Sequence, residues 1–245
     1  MTDREPDAAP ADDAASAFID IPGVRNFRDA GGIGALRPGR LYRSGSLHHL
    51  TPEGAQRLKA LGVRSVIDLR SPAELETRPD LHHGLDPVAL NLPTFPADRT
   101  GGDHPWPEEQ AELYPFMAEH GGPSIAATVR HLATPGALPA LVHCAVGKDR
   151  TGLTIAVIQS LLGASATEIT ADYLHSNAGL GLLAGPTPYI DESGAERTSR
   201  PVTAALLHSS LHWIHTHHTS IPAYLRFHGV TDPELAALRE SLTGE

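Results

Sequence analysis

His143-Cys144-Ala145-Val146-Gly147-Lys148-Asp149-Arg150-Thr151-Gly152 carries the only cysteine of the 245-residue chain and one of its two lysines, the other being Lys59. An apolar run ending at His143 precedes it and reads as a strand. Leu153 to Leu162 follows, apolar on nearly all sides, and reads as a buried helix. Five residues separate Cys144 from Arg150, the spacing of a loop wrapped around a phosphate. In such a loop the N–H groups of Ala145, Val146, Gly147, Lys148, Asp149 and Arg150 turn inward, and the following helix directs its positive end at the anion. Arg150 closes the ring, because a planar guanidinium binds two phosphate oxygens at once. The same surroundings lower a thiol toward the thiolate, the only form of cysteine that attacks as a nucleophile.

Two other readings of the stretch fail. A buried structural thiol in a strand-to-helix turn leaves Arg150 and Gly147 unexplained. A nucleotide-binding loop needs Gly five positions before the Gly-Lys pair and Ser or Thr after the lysine, where Val142 and Asp149 stand.

Outward from this loop, several segments bear on it. Met1 to Ala17 is acidic and rich in Pro and Ala, which predicts a disordered tail preceding a single domain over residues 18–245. Asn26 to Gly32 ends in a double glycine that marks a tight turn, and Arg28 and Asp29 are expected to pair with each other or with turn backbone. Arg40-Leu41-Tyr42-Arg43 is strand-like. Thr51 caps a helix that Gly62 ends, Arg64 to Arg70 reads as a strand, and Ser71 with Glu74 forms a capping box. Strand alternation puts Val66, Asp68 and Arg70 on one face, and ligands of an open α/β sheet bind at the C-terminal strand ends where Asp68 falls.

Val88 to Pro93 is a further strand candidate, followed by a Pro- and Gly-rich loop with Asp98, Asp103, His104 and Trp106. Helical patterns occupy 108–119 and 125–133, and Ser165 with Glu168 caps the helix carrying Asp172 and Tyr173. Residues 179–200 lack periodicity and are expected to form a long loop or flap. Val202 to His218 is helical, with His208, His212 and His215 on one face. Metal binding is one reading of those imidazoles, but without a cysteine or nearby acid a polar face that uses histidine is preferred.

The central stretch resembles the Cys-x5-Arg-Ser/Thr signature of the cysteine-based protein tyrosine phosphatases, and in its fuller form the atypical bacterial branch called PtpB-like. Asn26 to Gly32, Tyr42 to Gly45, Asp68 to Glu74 and Gly229 to Leu242 are similar to further elements of that family. The resemblance implies an α/β fold with a central, mostly parallel sheet flanked by helices and a C-terminal helical or lid region. It implies hydrolysis of phosphate monoesters, phosphotyrosine first and phosphoserine or phosphothreonine as well, through a phosphocysteine intermediate without metal or cofactor. Phosphoinositides are the alternative substrate, favoured by Lys148 as a second cation beside the phosphate.

In this reading Cys144 attacks, Arg150 and the loop N–H groups hold the equatorial oxygens, Thr151 supports the departing thiolate and His143 orients the loop. The general acid is expected to be Asp149, then Asp68, then Asp98, although Asp149 could instead pair with a neighbouring arginine. A sulfurtransferase also carries a cysteine in an anion-binding loop but has less need of Arg150 with Thr151. A non-catalytic phosphate-binding module would not need the thiol.

Composition narrows the partners. With 19 basic against 29 acidic residues the net charge is −10, which disfavours nucleic acid and anionic membranes. No stretch is apolar for long enough to span a bilayer, and no signal peptide is apparent, so cytoplasmic residence is the default and non-classical export the alternative. A single cysteine excludes an intrachain disulfide. Oligomeric state is left open.

Overall fold

Four short, largely apolar stretches pair in parallel and place the signature loop at the middle of one sheet edge. Leu41–Ser44 (β2), Ala140–His143 (β5), Ser65–Asp68 (β3) and Val88–Asn91 (β4) lie side by side in that order, and Arg28–Asp29 (β1) joins β2 antiparallel. This computed structural model describes residues 18–95, 107, 109–190 and 196–244. The expected acidic tail and the loop residues Asp98, Asp103, His104 and Trp106 fall outside them.

β5 is the central strand and is buried along its whole length. This is why Ala-Leu-Val-His reads as a run rather than an alternation. Its neighbours are in register, with Ser44 and Asp68 both opposite His143. Side chains then sort by face. Leu41, Ile67, Leu69, Ala140 and Val142 enter the larger core. Tyr42, Val66 and Leu141 enter the smaller one, which Ala55 and Leu58 of helix α1 (Pro52–Ala60) complete.

The larger core is closed by α3 (Gln110–His120), α4 (Gly122–Leu132), α5 (Asp149–Leu161), α6 (Ala166–Gly179), α7 (Ala204–His218), α8 (Ile221–Phe227) and α9 (Asp232–Thr243). α2 (Pro72–Thr77) follows β3. Every residue of α5 from Thr151 to Gln159 is buried. A helix apolar on all sides has no solvent face to offer, so it takes the centre.

Local chemistry set the helix starts. Thr51 Oγ1 accepts from Gly54 N, and Ser71, Ser165 and Thr231 each form a capping box with the glutamate three residues on. The stretch 179–200 departs from expectation. It contains a 3₁₀ turn at Leu182–Ala184 and an antiparallel pair, β6 (Thr187–Ile190) with β7 (Glu196–Ser199). Its β-branched residues are too few and too interrupted by Gly and Pro to show a period. Asn177 closes the excursion, donating to Val202 O at 2.9 Å and accepting from Val202 N at 2.8 Å.

Because Ile158 is wholly buried in α5, Ile158→Ala is expected to lower the unfolding free energy by about 2–5 kcal/mol through loss of contacts and a residual cavity. Urea unfolding with an unchanged m-value is the check.

Candidate active site

β5 delivers His143, the loop Cys144 to Lys148 turns back, and α5 begins at Asp149. The carbonyls of this loop decide its chemistry. Ala145 O accepts from Ser46 N at 3.1 Å and from Ser46 Oγ at 3.2 Å. Val146 O and Gly147 O accept from Asn26 Nδ2 at 3.2 and 3.0 Å, and Gly147 O also from Arg43 Nη2 at 3.1 Å. A peptide plane that turns its carbonyl outward turns its N–H the other way. Among the described residues no acceptor takes the N–H groups of Ala145 to Arg150, which leaves them for an anion. Gly147 has φ +72, and a Cβ there would lie 2.2 Å from Ser44 O. Only glycine fits that approach.

The outward donors are themselves held. Arg28 Nη1 donates to Asn26 Oδ1 at 2.6 Å, so the amide must present its nitrogen to the loop. Arg28 Nε and Arg43 Nη1 grip the two oxygens of Asp172 at 2.9 and 2.7 Å. Burial lowers Arg28 to about 10, and the nearby Arg43 adds to this against the pull of Asp172. Burial opposes ionisation of Asp172 too, but the two arginines hold its carboxyl down at about 2. Arg28 keeps the expected bond to turn backbone, Nη1 to Asn26 O at 3.3 Å, but its ion-pair partner is on α6. Asp29 does bind turn backbone, accepting from Gly31 N at 2.7 Å and Gly39 N at 2.6 Å.

Cys144 is 2% exposed. Burial raises its thiol, yet the Arg150 charge and hydrogen bonding from the Thr151 hydroxyl and N–H outweigh that, and the net shift is downward. Thr151 Oγ1 is buried and meets no partner at hydrogen-bonding geometry among the described residues, which leaves it available to the sulfur. Arg150 donates bidentately to Glu74, Nη1 to Oε2 at 2.7 Å and Nη2 to Oε1 at 2.8 Å. Burial works against ionisation of Glu74, but Arg150 and Ser71 hold its carboxyl at about 2.

Behind the cysteine lies a second ionic cluster. His143 is fully buried, its Nε2 3.1 Å from Asp80 Oδ2 and its Nδ1 3.7 Å from Asp68 Oδ1. Burial favours the neutral ring, but the two carboxylates prevail and its pKa is raised. Asp68, expected as an alternative acid, has both oxygens committed to Arg70, at 3.0 Å from Nε and 2.7 Å from Nη2. Arg70 Nη2 also reaches Asp80 Oδ1 at 2.7 Å. Asp68, Asp80 and His143 gather ligand-type atoms within 4.8 Å of one another; the Arg70 guanidinium already takes the place a cation would have there.

The structure therefore brings together Cys144, Arg150, Thr151, Asp149 and the loop amides, and keeps Asp68 in a guanidinium clamp. Among the described residues Asp149 makes no ion pair with an arginine, its alternative reading. Its Oδ1 accepts from Tyr114, and its Oδ2 lies 3.7 Å from Lys148 Nζ. The Lys148 ammonium also donates to Arg200 O at 2.8 Å. On α7, His208 bonds Thr170 at 2.9 Å, while His212 and His215 bond residues of their own helix end. Asn26, Arg43, Asp80, Tyr114, Asp172 and Tyr173 escaped sequence reasoning as site residues. Glu74 was visible only as a cap.

A model of the tyrosine phosphatase family matches residues 19–244. The triple specificity protein phosphatase PtpB of Mycobacterium tuberculosis is 33% identical over 198 residues, 66% of this chain and 70% of that one. A tyrosine-protein phosphatase of Nostoc commune is 27% identical over 225 residues, 85% and 76% of the two chains. Among solved structures, the core catalytic domain of PP-IP phosphatase SIW14 of S. cerevisiae aligns at 20% identity with a TM-score of 0.38, over 64% of this chain and 78% of that one.

The Glu74 carboxyl, ordinarily at 4.5 and here held to about 2, contributes stability that is fully present above about pH 4.5 and is lost as pH falls through about 2. Glu74→Gln is expected to flatten that acid slope in urea unfolding between pH 2 and 5. It should also release the Arg150 fork and lower kcat/KM by up to about 100-fold.

Proposed function

Given that the chain belongs to the tyrosine phosphatase family, we propose that it hydrolyses phosphotyrosine, and other phosphate monoesters, through a phosphocysteine formed on Cys144. The observation that carries this reading is the outward binding of the Ala145, Val146 and Gly147 carbonyls. It leaves a ring of N–H donors around a thiol whose pKa is lowered.

The phosphate oxygens sit against these N–H groups and the Arg150 guanidinium, whose orientation Glu74 sets. The Cys144 sulfur attacks phosphorus in line, forming the S–P bond as the ester O–P bond breaks. Asp149 gives its proton to the leaving oxygen. Water then attacks the phosphocysteine, losing its proton to Asp149, and the sulfur departs as thiolate with Thr151 donating to it. His143, lying between two carboxylates, holds the strand end from which the cysteine projects.

Phosphoinositides are the second substrate class. The relative named as triple specificity supports it, as does Lys148, whose ammonium lies 3.7 Å from Asp149 Oδ2 in the signature loop while donating to the neutral Arg200 carbonyl. Among the described residues no helix is long and apolar enough to cross a membrane, and we place the enzyme in the cytoplasm, acting on phosphorylated proteins rather than nucleic acid.

Turnover of a small aryl phosphate in EDTA should persist for the wild type and fall to background for Cys144→Ser, with phosphate still bound. Loss of wild-type turnover on chelation, or its survival in the serine variant, would overturn the phosphocysteine route; persulfide transfer from thiosulfate to cyanide would point to a sulfurtransferase instead. Asp149→Asn should cost about 10²-fold or more on phosphotyrosine and much less on an ester with a good leaving group. Equal losses on both would remove Asp149 from the acid role.

A further inference from the structure

Two buried phenols end on the Asp149 carboxylate. Tyr114 of α3 and Tyr173 of α6 are 0% and 1% exposed, with rings edge to face at a centroid distance of 6.3 Å. Their hydroxyls hydrogen-bond each other, and Tyr114 also donates to Asp149 Oδ1. Burial first, and then the Asp149 charge, raises both phenols, so each keeps its single proton. Tyr114 donates its O–H to the carboxylate as a hydrogen bond, which leaves Tyr173 to donate to Tyr114. The sense of the chain is thereby set, from Tyr173 through Tyr114 to Asp149.

A polar pair in a core is costly unless every member is satisfied. Here the terminal acceptor is a carboxylate of the signature loop that remains 25% exposed at its side chain. Room for the pair is built into the same loop. A Cβ on Gly152 would lie 2.8 Å from Tyr173 Cδ2, so the glycine that follows Thr151 lets the Tyr173 ring lie against α5.

We propose that Tyr114, backed by Tyr173, is a positioning residue for Asp149 that keeps Oδ1 as an acceptor and so directs the acidic proton onto Oδ2. The inference rests on the reading of Asp149 as proton donor. An acid whose proton sat on Oδ1 would face the protein interior. With Tyr114 donating there, Oδ2 is the oxygen left for the leaving group, with the Lys148 ammonium at 3.7 Å and Arg150 and the Cys144 sulfur as the other charged groups acting on it. Fixing one rotamer of a short side chain at a helix start removes orientational freedom before the chemical step.

The test is the leaving-group dependence of kcat/KM across aryl phosphates from dinitrophenyl to phenyl and phosphotyrosine, for wild type, Tyr114→Phe, Tyr173→Phe, Asp149→Asn and the double variant Tyr114→Phe with Asp149→Asn. Tyr114→Phe should steepen the dependence, losing about tenfold more on phosphotyrosine than on the dinitrophenyl ester, a fraction of the span available to general acid catalysis. Tyr173→Phe should steepen it less, and Tyr114→Phe should add nothing on top of Asp149→Asn. Equal losses on all esters, or a further loss when Tyr114→Phe is added to Asp149→Asn, would show a structural role and overturn the proposal while Asp149 kept its own. No steepening in Asp149→Asn would instead overturn the reading of Asp149. Should Tyr114→Phe not fold, Tyr173→Phe carries the same comparison, and thermal unfolding of each variant separates misfolding from misplacement.

Discussion

Asp172 is the buried charge on which the site depends. It lies on α6, outside the signature loop, and pairs with Arg28 and Arg43 at once. Both arginines pass the constraint on, Arg43 directly to Gly147 O and Arg28 through the amide of Asn26 to Val146 O and Gly147 O. A loop whose amides all point inward is electrostatically unfavourable without an anion, because parallel N–H dipoles repel. Charged donors on the outside, hydrogen-bonded to the carbonyls, hold the loop in that form before substrate arrives. Removing Asp172 would leave two buried guanidinium groups facing each other, the circumstance in which a broken ion pair costs about 3–5 kcal/mol.

Two further ionic groups bracket the same loop. Glu74 aligns Arg150 with a bidentate pair and also completes the cap of α2. One carboxylate thus couples the start of a helix to the orientation of the phosphate-binding guanidinium. Arg70, Asp68, Asp80 and His143 form the other group, beneath Cys144. Asp80 Oδ1 also accepts from Leu47 N at 2.8 Å, which ties the segment after β2 to the cluster. Net charge across the protein is −10, yet arginines converge on this one strand edge. Attraction for an anion is therefore local to the pocket rather than a property of the surface.

Residues whose role follows from their neighbours in the chain were legible. Ser71 and Ser165 announced helix starts because a capping box is complete within four residues. Cys144, Gly147, Arg150 and Thr151 announced an anion loop because the turn closes within six. The pairing of β6 with β7 was not legible, since its register comes from cross-strand contacts and the stretch shows no alternation. The carbonyl partner of Lys148 was not legible for a related reason. The position of the lysine in the loop was local information, but the carbonyl of Arg200 that takes its ammonium is brought there by the fold.

The order of residues by itself determined the strand, the turn and the buried helix around Cys144, and with them the chemistry of a thiol in a nest of N–H groups. It also determined which acids were near enough in sequence to be considered. Only the tertiary structure decided the surroundings of Asp68 and Asp149, clamping the first with Arg70 and giving the second the Tyr114 hydroxyl, which Tyr173 in turn meets. Only there do Asp172 and Glu74 become part of the site. The physical reason is that hydrogen bonds and ion pairs act over about 3 Å in space, and folding brings that distance to residues more than a hundred positions apart, which no reading of local spacing contains.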